Sequence, residues 1–364
     1  MKIWDVVKQL NTEFAEREEV IEGLVIALIA RQHALLIGPP GTGKSALVTE
    51  VIRRITGAKH FQWLLTRFST PEELFGPVSL QELEQGVYKR NTVGKLPEVH
   101  TSFLDEIFKA NSAILNALLT LINERLFYND SAPTKVPLIS LVGSSNEYPE
   151  EGEGLEALFD RFLLRFEVNY IGEDRAFVDM LKSQTSLPVN MTMEDLYQLQ
   201  SLSDTVTISD AMYDNLSQIR SELRDQGIQP SDRRFKQILS ILRAKAVLAG
   251  RTSVVEEDLL ILKHSLWEMP DQQDKVAKII RFHAQDAIKT KVEDALSEVA
   301  DVLHNLKKEG DTTDAALEAI KKIKSIAADL KVLQMETPTR LDIREALQSI
   351  QASLTHITTN VLGV

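Results

Sequence analysis

A glycine-rich octapeptide near the start of the chain is the first group of residues that could do chemistry. It runs Gly38, Pro39, Pro40, Gly41, Thr42, Gly43, Lys44 and Ser45, and it fits the phosphate-loop pattern G-x-x-x-x-G-K-[ST]. Glycines let the backbone curl so that successive N–H groups point at phosphate oxygens, and a following helix adds the positive end of its dipole. Lys44 can then reach the β- and γ-phosphates, while the Ser45 hydroxyl can bind Mg²⁺. The loop predicts a site for a nucleoside triphosphate.

The sequence on either side of this loop has the periodicity that such a loop requires. Ala34 to Ile37 is an apolar run typical of a buried strand, and Ala46 to Ile52 has the apolar spacing of a helix. Ala46, the residue after the octapeptide, is predicted to bind the nucleotide together with Gly38 to Ser45. A glycine-rich turn that matches by chance is the alternative, and the order of strand, loop and helix argues against it.

Two adjacent carboxylates, Asp105 and Glu106, follow the apolar pair Phe103-Leu104. Beside a phosphate loop, the first acid can hold Mg²⁺ through its water shell, and the second can polarise an attacking water as a general base. An acid-rich start of a helix is the alternative, since negative charge also favours that end of the helix dipole. The presence of the phosphate loop favours the catalytic interpretation.

A third polar position, Asn146, follows the apolar run Leu138 to Val142 and the small residues Gly143-Ser144-Ser145. An amide at the end of a strand that lies beside the phosphates could orient the water that attacks. Asparagine is also an ordinary turn residue. Its position after the acidic pair is what makes Asn146 a candidate catalytic residue.

Taken together, these motifs resemble the AAA+ superfamily of ATPases and, within it, the MoxR family of the helix-two-insert clade. The resemblance covers about 270 of the 364 residues, and Ser231-Asp232-Arg233-Arg234-Phe235 makes the RavA-like subgroup the nearest. The matching stretches are Gly38 to Ser45, Arg67 to Pro77, Phe103 to Ala110, Asn123 to Arg125, Gly143 to Asn146 and Leu158 to Phe162.

The resemblance implies that Mg²⁺ and ATP bind between the subunits of a ring, usually a hexamer. By motif position, Arg161 is then the arginine that reaches the γ-phosphate of a neighbouring subunit, with Arg165 as the alternative. A surface arginine paired with Asp160 is the other interpretation of Arg161. Arg233 corresponds to the sensor-two residue, which contacts nucleotide from the lid domain, with Arg234 as the alternative.

Two insertions resemble those by which related rings touch their clients. Residues 78–90 suggest a hairpin that turns near Gln85-Gly86, at the position of the helix-two insert. Residues 126–136 suggest a second hairpin, at the position of the pre-sensor-one insert. Both segments could equally be passive loops.

The order of elements predicts an α/β fold with three parts. Residues 1–170 form a P-loop AAA+ αβα core with a parallel sheet, because five apolar runs alternate with helical stretches. Residues 171–268 form an all-α lid, and residues 269–364 form a C-terminal helical bundle or hairpin. Within that last part, Ile343, Leu347, Ile350, Leu354, Ile357 and Val361 make a heptad-like seam. The seam fits a bundle within the chain or, alternatively, an intermolecular coiled coil.

Composition limits the function classes. The 364 residues carry a net charge of −12 and lack cysteine, so disulfides and thiolate chemistry are excluded. The sequence shows neither a secretory signal nor an apolar stretch of membrane-spanning length. We therefore expect a cytoplasmic protein without membrane insertion.

The acidic charge makes nucleic acid an unlikely partner and protein clients the better expectation. The family resemblance suggests chaperone-like work with a partner that bears a von Willebrand factor A (vWA) domain. A nucleic-acid motor and a nucleotide-controlled assembly switch are the alternatives.

Overall fold

The computed structural model describes residues 2–130, 132–149, 155–182, 187–285, 287–308, 313–336 and 341–360. The chain divides into two compact units, Met1–Arg281 and Phe282–Val364. The strands of the first unit are β1 Ala34–Ile37, β2 Ile55–Thr56, β3 His60–Leu64, β4 Thr101–Asp105, β5 Leu126–Asn129, β6 Ala132–Lys135, β7 Ser140–Ser145, β8 Leu164–Glu167 and β9 Met191–Thr192.

Helices surround these strands. They are α1 Lys2–Glu13, α2 Glu18–Ala30, α3 Lys44–Arg53, α4 Pro71–Phe75, α5 Leu80–Glu84, α6 Ser112–Glu124, α7 Glu156–Arg161, α8 Asp174–Lys182, α9 Met193–Thr205, α10 Asp210–Asp225, α11 Asp232–Leu248 and α12 Gln273–Ala284. Short 3₁₀ turns are Leu96–Glu98, Ile107–Lys109, Glu256–His264 and Pro270–Gln272.

A parallel sheet of five strands lies at the centre of the first unit, in the order β3-β4-β7-β1-β8. All residues of β1 and β7 are buried, as expected for parallel strands that are covered on both faces and read as continuous apolar runs. This confirms the predicted α/β fold and its five strands. Because the strands are parallel, they all end at one edge of the sheet, here called the carboxyl edge, and begin at the opposite, amino edge.

The helices α9, α10 and α11 follow the sheet as a mainly helical lid. Thr192, Ser209 and Ser231 stand at their N-caps, and each side chain accepts a hydrogen bond from a backbone N–H three residues later. Such caps satisfy N–H groups that the helix itself leaves unpaired. α11 packs against α2 and α9, so the lid and the core share an apolar interface.

The first predicted insertion hairpin is wrong. Val78 and Arg90 do form an antiparallel bridge, but the residues between them include the helix α5. The Ser79 hydroxyl caps α5 by accepting from the N–H of Glu82, and the leucine, glutamine and glutamate side chains that follow are good helix formers. Local helix propensity therefore prevailed over the turn signal at Gln85-Gly86.

The second insertion hairpin is confirmed. β5 and β6 pair antiparallel from Leu126 with Lys135 to Asn129 with Ala132. The Asn129 amide exchanges hydrogen bonds of 2.7 and 3.0 Å with the backbone of Arg90. The turn end of the second insertion therefore touches the base of the first.

The second unit contains three long helices, α13 Ala287–Lys308, α14 Thr313–Glu336 and α15 Leu341–Asn360. Ile343, Ile350, Leu354 and Ile357 are buried in its core, and Leu347 packs against them. The heptad-like seam thus packs within its own unit, as predicted for a bundle. Val361 lies outside the described residues. Of the helices in the described ranges, none is both long and apolar enough to cross a membrane.

Candidate active site

The predicted phosphate loop lies at the carboxyl edge, between β1 and α3. Gly41 and Gly43 have φ of +82° and +81°, a backbone conformation that side chains with a Cβ rarely adopt. A Cβ on Gly38 would lie 2.1 Å from the carbonyl oxygen of Val168. The glycines therefore let the loop curl into the start of α3 and pack tightly on the strand beside it.

Lys44 lies at the first turn of α3, and its side chain folds back over the loop. Its ammonium group donates to the carbonyl oxygens of Gly38 at 2.6 Å and Pro39 at 2.9 Å and to Oδ1 of Asn146 at 3.0 Å. Burial lowers the pKa of Lys44, and the carboxylates of Asp105 and Glu106 partly oppose that shift. A phosphate oxygen can bind between this ammonium group and the curled loop.

Asp105 ends β4 beside the loop. Its carboxylate accepts hydrogen bonds from the hydroxyls of Ser45, at 2.9 Å, and Ser144, and from the N–H of Glu106 at 3.1 Å. A hydroxyl and a carboxylate oxygen in contact match the hard oxygen ligands that Mg²⁺ takes while keeping several waters. The pair Ser45 and Asp105 therefore fits a Mg²⁺ ion shared with a bound phosphate.

Glu106 has a left-handed backbone, with φ of 55° and ψ of 45°. This uncommon conformation for a residue with a Cβ costs energy and often marks functional sites. Nδ2 of Asn146 donates to the Glu106 carboxylate, and the ammonium of Lys109 lies 3.2 Å from it. Asn146 thus touches both Lys44 and Glu106, so the amide joins the phosphate loop to the predicted general base.

An apolar cavity of about 400 Å³ opens beside the loop at Gly41 to Gly43. Its walls include Phe14, Arg17, Tyr170, Ile171 and Phe177. The Tyr170 hydroxyl donates to the carbonyl oxygen of Pro40 at 3.1 Å, and a guanidinium N–H of Arg17 donates to that of Thr42 at 3.4 Å. A cavity of this size next to a phosphate site can hold an aromatic base.

Motif reasoning missed these cavity residues. They come from the segment between α1 and α2 and from residues 170–177, so only the fold brings them together. The one available signal was the pair Tyr170-Ile171, which follows β8 at the same edge as the loop.

Arg161 and Arg233 lie at the opposite, amino edge. β8 runs parallel to β1 with Leu164 opposite Ala34, so Arg161 precedes the start of β8 while the phosphate loop follows the end of β1. The four residues of β1 alone separate the two edges by about 10 Å. The structure therefore does not bring Arg161 to the phosphate loop of its own chain.

Arg233, at the start of α11, donates to Oδ1 of Asn123 at 2.6 Å. Asn123 is near the end of α6, and the adjoining Arg125 donates to the carbonyl oxygen of Arg31 at 2.9 Å, just before β1. Asp160 accepts from both Arg161 and Arg234, the residue that follows Arg233, so Arg161 and Arg233 lie near each other at the amino edge. Burial, and then the charge of Arg161, lower the pKa of Arg233.

The two alternative arginines are buried, each with 1% of its surface exposed. The Arg165 guanidinium lies 4.1 Å from the ring centre of Phe159 and bonds to the carbonyl oxygen of Trp267. Arg234 donates to Oδ1 of Asp160 at 2.9 Å and to the carbonyl oxygen of Ser265 at 2.8 Å. Both arginines are therefore held inside their own chain, and the choice of Arg161 or Arg165 as finger and of Arg233 or Arg234 as lid sensor stays a prediction.

The comparisons with known proteins agree with this geometry. Residues 1–204 match a family model described as the MoxR domain in the MoxR-vWA-beta-propeller ternary systems. Residues 211–280 match a model of the AAA lid domain. A solved structure from Cytophaga hutchinsonii, assigned as an ATPase, shares the fold with a TM-score of 0.62 at 17% identity, over 78% of this chain and 93% of that one.

Three relatives extend the similarity. An uncharacterized protein of Methanocaldococcus jannaschii is 42% identical over 74% of this chain and 72% of its own length. A second from the same organism is 39% identical over 85% of this chain and 80% of its own length. Chaperone MoxR1 of Mycobacterium tuberculosis is 24% identical over 69% of this chain and 71% of its own length. The RavA-like subgroup stays a prediction, but with these matches over the core and the lid, the chain belongs to the MoxR family of AAA+ proteins.

Proposed function

We propose that this chain is a cytoplasmic AAA+ ATPase that hydrolyses Mg-ATP as a homo-oligomeric ring, a hexamer by family resemblance, and remodels or assembles protein clients. One observation carries the proposal. Lys44, Asp105 and Glu106 lie at the carboxyl edge of the sheet, whereas Arg161 and Arg233 lie at the amino edge. One chain cannot bring both sets to the same phosphates, so a complete site requires a second subunit.

The carboxyl edge supplies binding and the general base. Lys44 has three N–H donors, and the oxygens of Gly38, Pro39 and Asn146 accept from it here. To contact a phosphate, Lys44 has to release at least one of them. Asn146 also donates to Glu106. A movement of Lys44 therefore also affects the position of the Glu106 carboxylate, which polarises the attacking water.

Ser45 and Asp105 would hold Mg²⁺, which when bound neutralises charge on the phosphates. The cavity lined by Tyr170 and Phe177 would take the adenine base. The oxygen ligands for Mg²⁺ and the apolar surface for the base both lie next to the phosphate loop.

The amino edge supplies positive charge to a neighbour's nucleotide. Nη1 of Arg161 is paired with Asp160 at 3.0 Å, and 21% of the Arg161 side chain is exposed. The exposed part of the guanidinium can therefore meet a phosphate oxygen of a neighbouring subunit. Arginines that reach a phosphoryl group across an interface stabilise the charge of the transition state.

The test uses two variants that break opposite halves of the site. Arg161→Ala should keep ATP affinity and lose at least about 100-fold in turnover, and Glu106→Gln should do the same. An equal mixture should regain activity, because some interfaces then join an intact Glu106 to an intact Arg161. Mixed rings that stay inactive, or an Arg161→Ala ring with near-normal turnover, would refute the shared site.

The clients are proposed to be proteins, and the matching family model supports a partner with a vWA domain and a β-propeller protein. Glu106→Gln should hold ATP and retain clients, so tagged Glu106→Gln should co-purify such partners in ATP. Lys44→Ala is the matched control, because it should bind neither ATP nor clients. Recovery of DNA or RNA, together with ATPase stimulation by it, would replace this proposal with a nucleic-acid motor.

A further inference from the structure

Asp160, the residue before Arg161, is the centre of an arginine cluster at the amino edge. Its Oδ2 accepts from Nη1 of Arg161 at 3.0 Å, and its Oδ1 accepts from Nη2 of Arg234 at 2.9 Å. The backbone oxygen of Asp160 also accepts from Nη2 of Arg234 at 2.7 Å. Each carboxylate oxygen therefore holds a different arginine, one from the core and one from the lid.

Arg234 ties Asp160 firmly to the lid. It sits in the first turn of α11, and its guanidinium also donates to the carbonyl oxygens of Ser265 at 2.8 Å and Leu163 at 3.3 Å. A buried arginine with this many acceptors has one well-defined position. The start of α11, residue 265 and the end of α7 are thus joined at one point.

The lid segment that contains Ser265 also reaches toward the nucleotide side of the molecule. Lys263 donates to the Glu19 carboxylate at 2.5 Å, and His264 lies 3.2 Å from the same carboxylate. Glu19 is in the first turn of α2, two residues after Arg17, which contacts the phosphate loop at Thr42. Lid residues 263–267 therefore connect the surroundings of the phosphate loop to the Asp160 cluster.

The charge at Asp160 is needed to keep the cluster together. Burial alone would raise the pKa of Asp160, but the charges of Arg234, Arg165 and Arg161 outweigh burial and lower it. The Asp160 side chain is 37% exposed, while those of Arg161 and Arg234 are 21% and 1% exposed. Without the carboxylate, these like charges would repel one another across a short distance.

From these contacts we infer that Asp160 is a positioning residue for hydrolysis at the neighbouring subunit. Through its two carboxylate oxygens, it makes the direction of Arg161 depend on the position of the lid. The inference rests on the proposed function, in which Arg161 serves the neighbour's nucleotide. A lid that responds to nucleotide in its own subunit would then adjust Arg161 for the next one around the ring.

The substitution Asp160→Asn tests this selectively. The carbonyl oxygen of an asparagine can still accept from Arg234, but its NH₂ group would face the N–H donors of Arg161. Asp160→Asn should therefore keep the lid contact and free Arg161 alone. Because a misplacement of about 1 Å in a catalytic group can cost about 100-fold, we expect kcat to fall about 10- to 100-fold with little change in KM for ATP. Asp160→Glu should recover part of the loss.

Subunit mixing separates positioning from a merely structural role. Asp160→Asn subunits keep an intact Glu106, and Glu106→Gln subunits keep an intact Asp160 and Arg161. A random equal mixture should regain roughly a quarter of wild-type turnover, since roughly one interface in four joins the two intact halves. Asp204→Asn is the matched control, because Asp204 pairs with Arg31 at an exposed site and should leave turnover unchanged.

The outcomes are distinguishable. If Arg161→Ala is rescued by Glu106→Gln and Asp160→Asn is not, then Asp160 acts within its own subunit and the inference fails while the shared site stands. If neither variant is rescued, the shared site itself fails. Unchanged kcat in Asp160→Asn would also overturn the inference.

Discussion

The two edges of the central sheet are built from the sequence in different ways. At the carboxyl edge, Asp105 and Asn146 lie at or just after the end of a strand, and Lys44 begins the helix after the phosphate loop. Their side chains bond to one another or to the loop. At the amino edge, Asp160 meets Arg234, which is 74 residues away in the chain and belongs to the lid. The first edge is therefore a product of the core alone, and the second depends on how the lid is placed.

This difference separates two tasks. The carboxyl edge has the groups needed to bind phosphate in a single chain, and its loop geometry does not involve the lid. The amino edge combines two buried arginines that hold the structure with two more accessible ones that can act. Damage to Lys44 and the phosphate loop at the first edge should abolish binding, whereas damage at the second edge should leave binding intact and reduce turnover or stability.

The largest effect on nucleotide binding is expected from Lys44→Ala. It removes the ammonium that faces three oxygens at the phosphate loop, and a charge-assisted phosphate contact in a partly buried site is worth several-fold more than one in water. ATP affinity should fall at least about 100-fold, as measured by calorimetry. The control Lys59→Ala, away from the loop, should bind normally. Retained affinity in Lys44→Ala would erase the distinction between the two edges.

Arg234→Met should break the amino edge structurally. It leaves the backbone acceptors at Ser265 and Leu163 and one oxygen of Asp160 without their donor, and losing one partner of a buried ion pair costs about 3–5 kcal/mol. Urea unfolding followed by tryptophan fluorescence measures this loss, since Trp4, Trp63 and Trp267 all belong to the first unit.

The control for this change is Arg220→Met. Arg220 pairs with Asp232 where both side chains are well exposed, and such pairs contribute at most about 1 kcal/mol. Equal destabilisation by the two variants would mean that Arg234 is not the lid's anchor.

The same contrast explains what the sequence could predict. The loop, the acidic pair and Asn146 are short motifs at strand ends, and parallel strands necessarily bring their ends together at one edge. The five strands and the second insertion hairpin followed from apolar runs and turn signals. In each case the relevant interactions are local or are fixed by the sheet.

The sequence could not show that Arg165 and Arg234 are buried while Arg161 and Arg233 are more exposed. The burial depends on tertiary contacts, of Arg165 with Trp267 and of Arg234 with Ser265. The cavity beside Gly41 to Gly43 was likewise missed, because its walls come from segments far apart in the chain. For the insertion at 78–90, a helix cap at Ser79 decided the structure, and the turn signal did not.

Phe177→Ser tests whether the cavity at the carboxyl edge holds the base of the nucleotide. Phe177 lines the cavity next to the phosphate loop and is 48% exposed, so a stacked base would cover it. Base stacking on an aromatic ring is worth about 1–3 kcal/mol, and ATP affinity should fall about 10-fold. Inorganic tripolyphosphate, which has no base, should bind both proteins equally. Val178→Ser, on the same helix but outside the cavity lining, is the matched control.

The smallest effect concerns the lid contact at Glu19, where pH should matter. Hydrogen bonds from His264 and Lys263 lower the pKa of Glu19 to about 2. A carboxylate whose pKa is lowered on folding stabilises the protein above its ordinary pKa of about 4.5 and loses that contribution as the pH falls toward 2. Burial lowers the pKa of His264 as well, so protonation of this histidine below about pH 6.5 acts in the same direction.

Because Glu19 is 63% exposed, the contribution of its ion pair is small. Glu19→Gln should lower the melting temperature at pH 7 by at most about 3 °C and should lower it less at pH 3.5, where wild-type Glu19 has already lost part of its advantage. Calorimetric melting at the two pH values measures this difference. A larger loss at pH 3.5 than at pH 7 would contradict the assignment and would place the acid-sensitive contact elsewhere on the lid.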